Sequence, residues 1–390
     1  MPLSPRYDVT NVNLLIDSAG SLVIVVKGDS MRINRSAIVI GETRGFSGDG
    51  LEVTYIGYNF ESCNVDVFAV HLRTGMVRRL TAYPEYVDPV DILPDNQWHV
   101  VEDTRLTGRQ MFLAVMRGIP PIIDLLVSGA VLFTRNNGER RFFQPWLLDR
   151  YGDRGSYIGQ ELNGASNGTP GSGAVDDPEW NARADPKWSL DGTQIVYFQR
   201  HTISPECGGI NPLPCYASSE PGGRIDRIMI ANLTSRNPLP IREVDPISDN
   251  IPWAIPYTPG MSFSGYQISP QSGVYNLKGA KSGEAQVVYN SGDNENAAPW
   301  IAVTYTNYSD DGLSTLGGYE NATLTTTGVT SILVDWYSNI TQTGEVKGTK
   351  VTSHDGFHLA IDIMTNIFST NGTLTTTING VSYYQPADGT

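Results

Sequence analysis

A short unit recurs along this chain: a strand, an Asp-centred turn, a strand, a Thr-Gly-type turn and a further strand. Repetition of this kind limits the fold more than composition does, because each copy must be one supersecondary unit packed on its neighbours. The clearest copy occupies residues 65–81, with Thr74-Gly75 as its second turn, and it continues after Asp88-Pro89 through Val90 to the turn at Pro94-Asp95. A second copy, 184–198, holds Asp185-Pro186, Trp188 and the turn Ser189-Leu190-Asp191-Gly192, with another strand at 227–234 after a long loop. An eroded third copy spans 45–56. The turn aspartates Asp49, Asp95 and Asp191 are separated by 46 and then 96 residues. The second gap is about two blade-sized periods, so the spacing predicts a degenerate unit with its turn at 147–153.

Short alternating strands joined by Gly, Asn and Asp turns predict an all-β chain. A four-stranded blade cannot bury both its faces alone, so neighbouring blades must cover them, which is the logic of a β-propeller of about four blades. Trp98 and Trp188 beside the turns read as packing residues.

Of the 390 residues, 17% are charged, 40 are Gly and 24 are Pro, which suits a turn-rich β protein. The net charge of −14 argues against a nucleic-acid partner, whose phosphates it would repel. No stretch has the length of a membrane span; the run Ile122-Ile123-Asp124-Leu125-Leu126 is broken by a charge. The first residues do not read as a signal peptide. Seven glycosylation sequons, at Asn34, Asn167, Asn232, Asn307, Asn321, Asn339 and Asn371, nevertheless lean towards secretion. Cys207 and Cys215 bracket a loop that a disulfide could close, the alternative being two unpaired thiols, while Cys63 is left over. An odd cysteine, sequons without a leader and a low blade count together suggest an incomplete ring lacking an N-terminal segment.

Residues 1–260 read as the propeller part. Within them, 151–181 is rich in Gly, Asn and Ser and reads as a surface excursion, and the Cys207 and Cys215 segment is a second. Prolines at 252, 256, 259 and 270 mark a linker. Beyond it, strands at 285–289, 300–305, 331–337 and 358–363 fall at intervals that predict a small β-sandwich over 261–390.

Asp88-Pro89 and Asp185-Pro186 occupy equivalent places in two repeats, so in a ring their carboxylates would converge on one funnel. Paired carboxylates are what glycoside hydrolysis needs, one as acid and one as nucleophile or base. An Asp before Pro also caps backbone N–H groups, a purely architectural role. A second polar cluster comprises Asp149, Arg150, Tyr151, Asp153 and Arg154, followed by Glu161. It reads either as a self-neutralising surface network or as a clamp for a sugar carboxylate, which arginine binds through two parallel hydrogen bonds. Asp103 and Arg105 at the end of a predicted strand are comparable candidates, and Tyr151 and Tyr157 could stack on sugar rings. The chain has no G-x-S-x-G elbow. His354 and His358 lie on a predicted strand, where their spacing parts the rings, so no metal site is expected. There is no phosphate-binding glycine loop, and no cofactor is expected.

The turn units resemble the TolB-type propeller repeat at Pro186, Trp188, Ser189, Asp191 and Gly192, departing at Leu190, where that repeat has Pro. Over most of its length the chain also resembles secreted fungal saponin hydrolases. The segments carrying that likeness are 118–121, 141–145, 149–155 and 355–358. The resemblance implies removal of a glucuronosyl or related sugar from a saponin. The competing expectation is a non-catalytic propeller that binds carbohydrate or a protein partner.

Overall fold

A computed structural model describes residues 12–16, 22–38, 40–136, 142–164, 179–202, 217–240, 248, 251–261, 270–292, 299–365 and 367–390. The chain is nearly all β, with propeller-type blades and two helices among these residues. The first strands, β1 (Asn13–Leu14), β2 (Ile24–Lys27) and β3 (Ser30–Ile33), do not join the blades that follow them.

The first blade is an antiparallel meander of β4 (Ile40–Phe46), β5 (Glu52–Gly57), β6 (Val67–His71) and β7 (Val77–Arg79). Its middle strands are runs of β-branched and aromatic residues that bury both faces, as in a sheet covered on two sides. The turn between β4 and β5 closes when Asp49 accepts the Leu51 N–H and the Ser47 hydroxyl. Asp95 and Asp191 accept backbone N–H groups two residues on in the same way, so one turn chemistry recurs three times.

The second blade holds β8 (Val87–Ile92), β9 (Trp98–Asp103), β10 (Gln144–Asp149) and β11 (Gln160–Glu161). Between β9 and β10 lie α1 (Met111–Ala114) and α2 (Asp124–Thr134). This helical insertion accounts for the doubled spacing between the second and third turns. The degenerate unit expected at 147–153 is instead the end of β10 and the turn after it. In α2 the residues Leu126, Val127, Ala130 and Val131 make a buried stripe at helical spacing, which the Asp124 charge and the Ser128-Gly129 pair obscured.

The third blade consists of β12 (Trp180–Ala182), β13 (Lys187–Trp188), β14 (Gln194–His201) and β15 (Asp226–Asn232). Both β12 and β13 pair with β14, at its two ends, so they form one inner strand broken over 183–186. The inner strand β8 slips register at Asp88-Pro89, and β4 slips twice between Ile40 and Gly45. All three inner strands are therefore interrupted at the same level.

The three inner strands also neighbour one another. Strand β8 lies beside both β4 and β13. Asp91 on β8 accepts the Trp188 N–H at 2.8 Å and pairs with Lys187 at 3.0 Å, clasping the third blade to the second. At the turns, a Cβ on Gly48 would stand 2.3 Å from the Leu93 carbonyl oxygen, so only glycine lets the first two blades approach this closely.

After β16 (Ile255–Pro256), which pairs with β1, the chain builds β17 (Gly273–Lys278), β18 (Ser282–Asn290), β19 (Trp300–Ser309), β20 (Ser314–Thr326), β21 (Ser331–Gly344), β22 (Gly348–Asp362), β23 (Ser369–Ile378) and β24 (Val381–Tyr384). These form one meander, extended at its first edge by β3 and β2 into a ten-stranded sheet. Strand β3 joins β17 in parallel. The second layer over this sheet is supplied by α1, α2 and the blades, where the sequence suggested a second sheet. Phe112 of α1 meets Phe357 and Phe368 edge to face at 6.0 and 6.4 Å, and α2 lies across β20, β21 and β22. One continuous core runs from Val67 and Trp146 in the blades through Val127 to Trp336 and Phe357. Cys63 is a buried free thiol, and Cys207 and Cys215 lie outside the described residues.

Candidate functional site

The breaks in the three inner strands place charged side chains together. Arg44, from the irregular stretch of β4, contacts the Asp88 carboxylate on β8 and reaches Asp185, in the break before β13, at 3.8 Å. Its other partner is Glu42 at 2.7 Å. One guanidinium thus spans carboxylates from two further blades. A bulge permits this, because the extra residue turns a side chain out of the ladder towards the inner end of the blade.

Asp88 is the buried member of the group. Its side chain is 12% exposed against 56% for Asp185. The Tyr86 hydroxyl donates to Asp88 Oδ2 at 3.2 Å, and Arg135, just past α2, stands 3.8 Å from the same oxygen. Arg135 is held there by lying 3.9 Å over the Tyr86 ring. Burial raises the Asp88 carboxyl above the usual aspartate range, with Arg44 and then Arg135 opposing it.

Below this pair lies Glu102. On β9 it falls opposite the bulge, between Val101, which pairs with Val90, and Asp103, which pairs with Val87. It is fully buried, and neither carboxylate oxygen has a hydrogen-bond partner among the described residues. Burial, reinforced by the negative charges of Asp185 and Asp88, pushes its carboxyl well above the ordinary value. Burial therefore favours the protonated form of Glu102.

The other residues singled out from the sequence form two separate groups. Arg105 has a side chain with no exposure, and it binds Asp103 at 2.5 Å, Asp153 at 2.8 Å and the Ile158 carbonyl. Asp153 also accepts the Ala82 and Tyr83 N–H groups. This is an internal tie between the end of β9 and the loop after β10. Because Arg105 and Asp103 are sealed from solvent, the sugar-clamp expectation for them is corrected to a structural one.

The second group is on the surface. Arg154 holds Asp149 through two hydrogen bonds of 2.8 and 2.6 Å, and its guanidinium lies 4.3 Å over Tyr157. Partial burial works against ionisation of Asp149, but Arg154 and the Tyr151 N–H together hold its carboxyl below the usual value. Tyr151 is 70% exposed, and Arg150 lies 5.4 Å over its ring. Glu161 is buried in β11, beside Trp146 in the ladder.

Arg44, Glu42, Glu102 and Arg135 were not singled out from the sequence. Arg44 had only a faint signal, since it lies just ahead of the third copy, 45–56, near where the other two carry Asp-Pro. Glu102 had a weaker one, an acid inside the apolar run of a central strand. Arg135 had none, because it reaches the cluster only through the fold of the insertion.

No family model matches the chain, and no curated protein does. Solved structures give only loose likenesses. An oligogalacturonate lyase from Vibrio parahaemolyticus aligns over 93% of this chain and 85% of its own at 8% identity, with a TM-score of 0.27. A prolyl endopeptidase structure aligns over 89% of this chain and 43% of its own at 10% identity, with a TM-score of 0.26. The dihydro-heme d1 dehydrogenase NirN covers 98% and 77% at 12% identity, with a TM-score of 0.23. All three are propeller-like folds. At these scores they add nothing to what strand pairing establishes.

Proposed function

We propose that this protein acts on a glycoside where the inner strands of its blades converge, cleaving a glucuronosyl or related sugar in the manner of the saponin hydrolases it resembles. The observation that carries this reading is the single Arg44 guanidinium that reaches both Asp88 and Asp185. Retaining glycosidases hold two carboxyl groups about 5 Å apart and inverting ones about 6.5 to 9.5 Å. Arg44, in contact with Asp88 and 3.8 Å from Asp185, keeps the two carboxylates near one another, as such a pair requires. Asp88, whose burial favours the proton, is the general acid for the glycosidic oxygen. Asp185, open to water, attacks the sugar carbon or activates the water that does. Burial and the charges of Asp185 and Asp88 favour the proton on Glu102, which limits the negative charge near the pair. Arg44 and Arg135 supply the positive field that a uronate carboxylate requires.

Incubation with a glucuronide-bearing saponin, followed by assay of free sugar, tests the reading. Release by the wild type and a loss of at least about a hundredfold in Asp88→Asn and Asp185→Asn are expected, the scale of general acid–base catalysis. No release, or release untouched by both substitutions, would overturn it. The turn chemistry at Asp49, Asp95 and Asp191 supports assignment of the blades to the TolB type. The exposure of Asn232, Asn307, Asn339 and Asn371 supports secretion.

A second reading, a propeller that binds carbohydrate or a protein without turnover, is favoured by the self-neutralised pairs Asp149–Arg154 and Asp103–Arg105–Asp153. Saturable saponin binding with no sugar release would select it.

A further inference from the structure

Arg135 stands one residue past α2, and the chain fixes it from both sides. The buried Arg109 donates from Nε to the Thr134 carbonyl at 2.5 Å and from Nη2 to the Asn136 carbonyl at 3.5 Å, so one guanidinium grips the backbone before and after Arg135. Arg135 Nε donates to the Leu132 carbonyl at 3.2 Å, which ties its own fork to the last turn of the helix. The helix in turn lies against β20, β21 and β22. A long cation at a helix end ordinarily keeps its rotamer freedom in water. This one has a side chain only 15% exposed, and it reaches one carboxylate, that of Asp88.

Tyr86 stands between them, and it is held as firmly. Its ring is stacked on Phe143, with centroids 5.9 Å apart and planes 6° from parallel, and the Arg135 guanidinium lies 3.9 Å from its centroid. Its N–H donates to Gln110 Oε1 at 2.7 Å, while Gln110 Nε2 donates to the Val131 carbonyl of α2 at 2.8 Å. Gln110, 1% exposed, thus couples the helix to the tyrosine. The Tyr86 hydroxyl then donates to Asp88 Oδ2 at 3.2 Å, the oxygen that Arg135 faces at 3.8 Å. Oδ1 is met by Arg44. One carboxylate oxygen is therefore addressed by the first blade and the other by the helical insertion. A core tyrosine needs only a partner for its hydroxyl; a cation on its ring that also reaches that partner is more than packing requires.

We infer that Arg135 and Tyr86 are positioning residues for Asp88, which makes the helical insertion part of the inner-strand site. The catalytic meaning of this role rests on the hydrolytic reading; the hold on Asp88 does not. The charged and titratable groups around Asp88 are Arg44 and Glu42 from β4, Tyr86 just before β8, Glu102 on β9, Arg135 past α2 and Asp185 before β13. Burial and Glu42 favour the proton on Asp88, and Arg44, Arg135 and the Tyr86 hydroxyl oppose it. Loss of Arg135 or of that hydroxyl makes Asp88 keep its proton to higher pH.

Carbon-13 NMR titration of the Asp88 carboxyl in the whole protein, assigned by its loss in Asp88→Asn, tests this without substrate. Arg135→Gln should tighten proton binding by Asp88 at least about tenfold, the effect of removing an adjacent cation. Tyr86→Phe, which keeps the stacked ring, should move the midpoint upward by less. Arg135→Lys, which restores the charge without the planar fork, should return most of the shift. A midpoint unmoved in Arg135→Gln and Tyr86→Phe, with only a loss of stability in urea, would reduce both residues to packing and overturn the inference, as would a downward shift. Should Arg135→Gln fail to fold, Tyr86→Phe and Arg135→Lys decide by the same signs. With a glucuronide-bearing saponin as substrate, the alkaline limb of kcat/KM should move up in step with the titration; a limb that stays in place while the titration moves would remove the catalytic role. Absent sugar release with a shifted titration would fell the hydrolytic reading alone and leave Arg135 and Tyr86 as the residues that set the ionisation of Asp88.

Discussion

Glu102 on β9 and Arg105 just past its end are both buried, yet burial gives them opposite fates. Arg105 stays charged because Asp103 and Asp153 meet it inside the protein. Removing one member of such a buried set costs about 3 to 5 kcal/mol, since the partners are left charged and unpaired. Arg105→Ala should lose stability on that scale in urea denaturation. Arg105→Lys should recover only part of it, because an ammonium cannot fork between two carboxylates. Glu102 has no such partner among the described residues, and burial favours its protonated form. Its folded carboxyl is raised, so between the ordinary glutamate value of 4.5 and that raised value the folded state binds more protons than the unfolded chain. Stability associated with this residue is full below 4.5 and is lost as pH rises. Glu102→Gln removes this loss. The melting temperature of the variant relative to wild type should therefore climb between pH 4 and pH 8, and a flat difference would show Glu102 to be ionised.

At the scale of elements, each blade reads as a closed turn grammar interrupted where charged side chains gather. The Asp49, Asp95 and Asp191 turns were legible because their chemistry is local. The inner-strand breaks were legible only as Asp-Pro pairs, and those pairs did not show that Arg44, just ahead of the third copy, would join them. The ten-stranded sheet holds a comparable interior feature. Lys350 on β22 and Glu320 on β20 are both without exposure, 3.7 Å apart, with Lys350 Nζ 4.6 Å from the Trp336 ring centroid and Tyr305 donating to Glu320. Lys350→Met alone should destabilise by about 3 to 5 kcal/mol, as should Glu320→Gln to a lesser degree, while the double substitution should cost less than their sum. Chemical denaturation of the four proteins in the cycle measures this coupling.

For the whole molecule, the segment after residue 270 is not covered by its own residues. Strands β2 and β3 extend its edge, and α1 and α2, from inside the second blade, cover its inner face. A fragment comprising residues 270–390 should consequently remain unfolded or aggregate when made alone. The intact chain should unfold in a single transition with equal calorimetric and van't Hoff enthalpies. Independent folding of the fragment, seen as dispersed amide resonances, would show that the shared core is dispensable.

The sequence by itself determined the repeat, the all-β class and the turn chemistry, because strand alternation and Asx turns depend on neighbours a few residues apart. It also marked Asp88 and Asp185 as equivalent. Only the tertiary structure decided that Arg44 joins them, that Arg105 is sealed inside, that the doubled spacing is a helical insertion, and that the last strands form one sheet covered by helices from elsewhere. Each of these depends on burial and on pairings between residues tens to hundreds of positions apart, whose charges and faces find their partners only when the chain is folded.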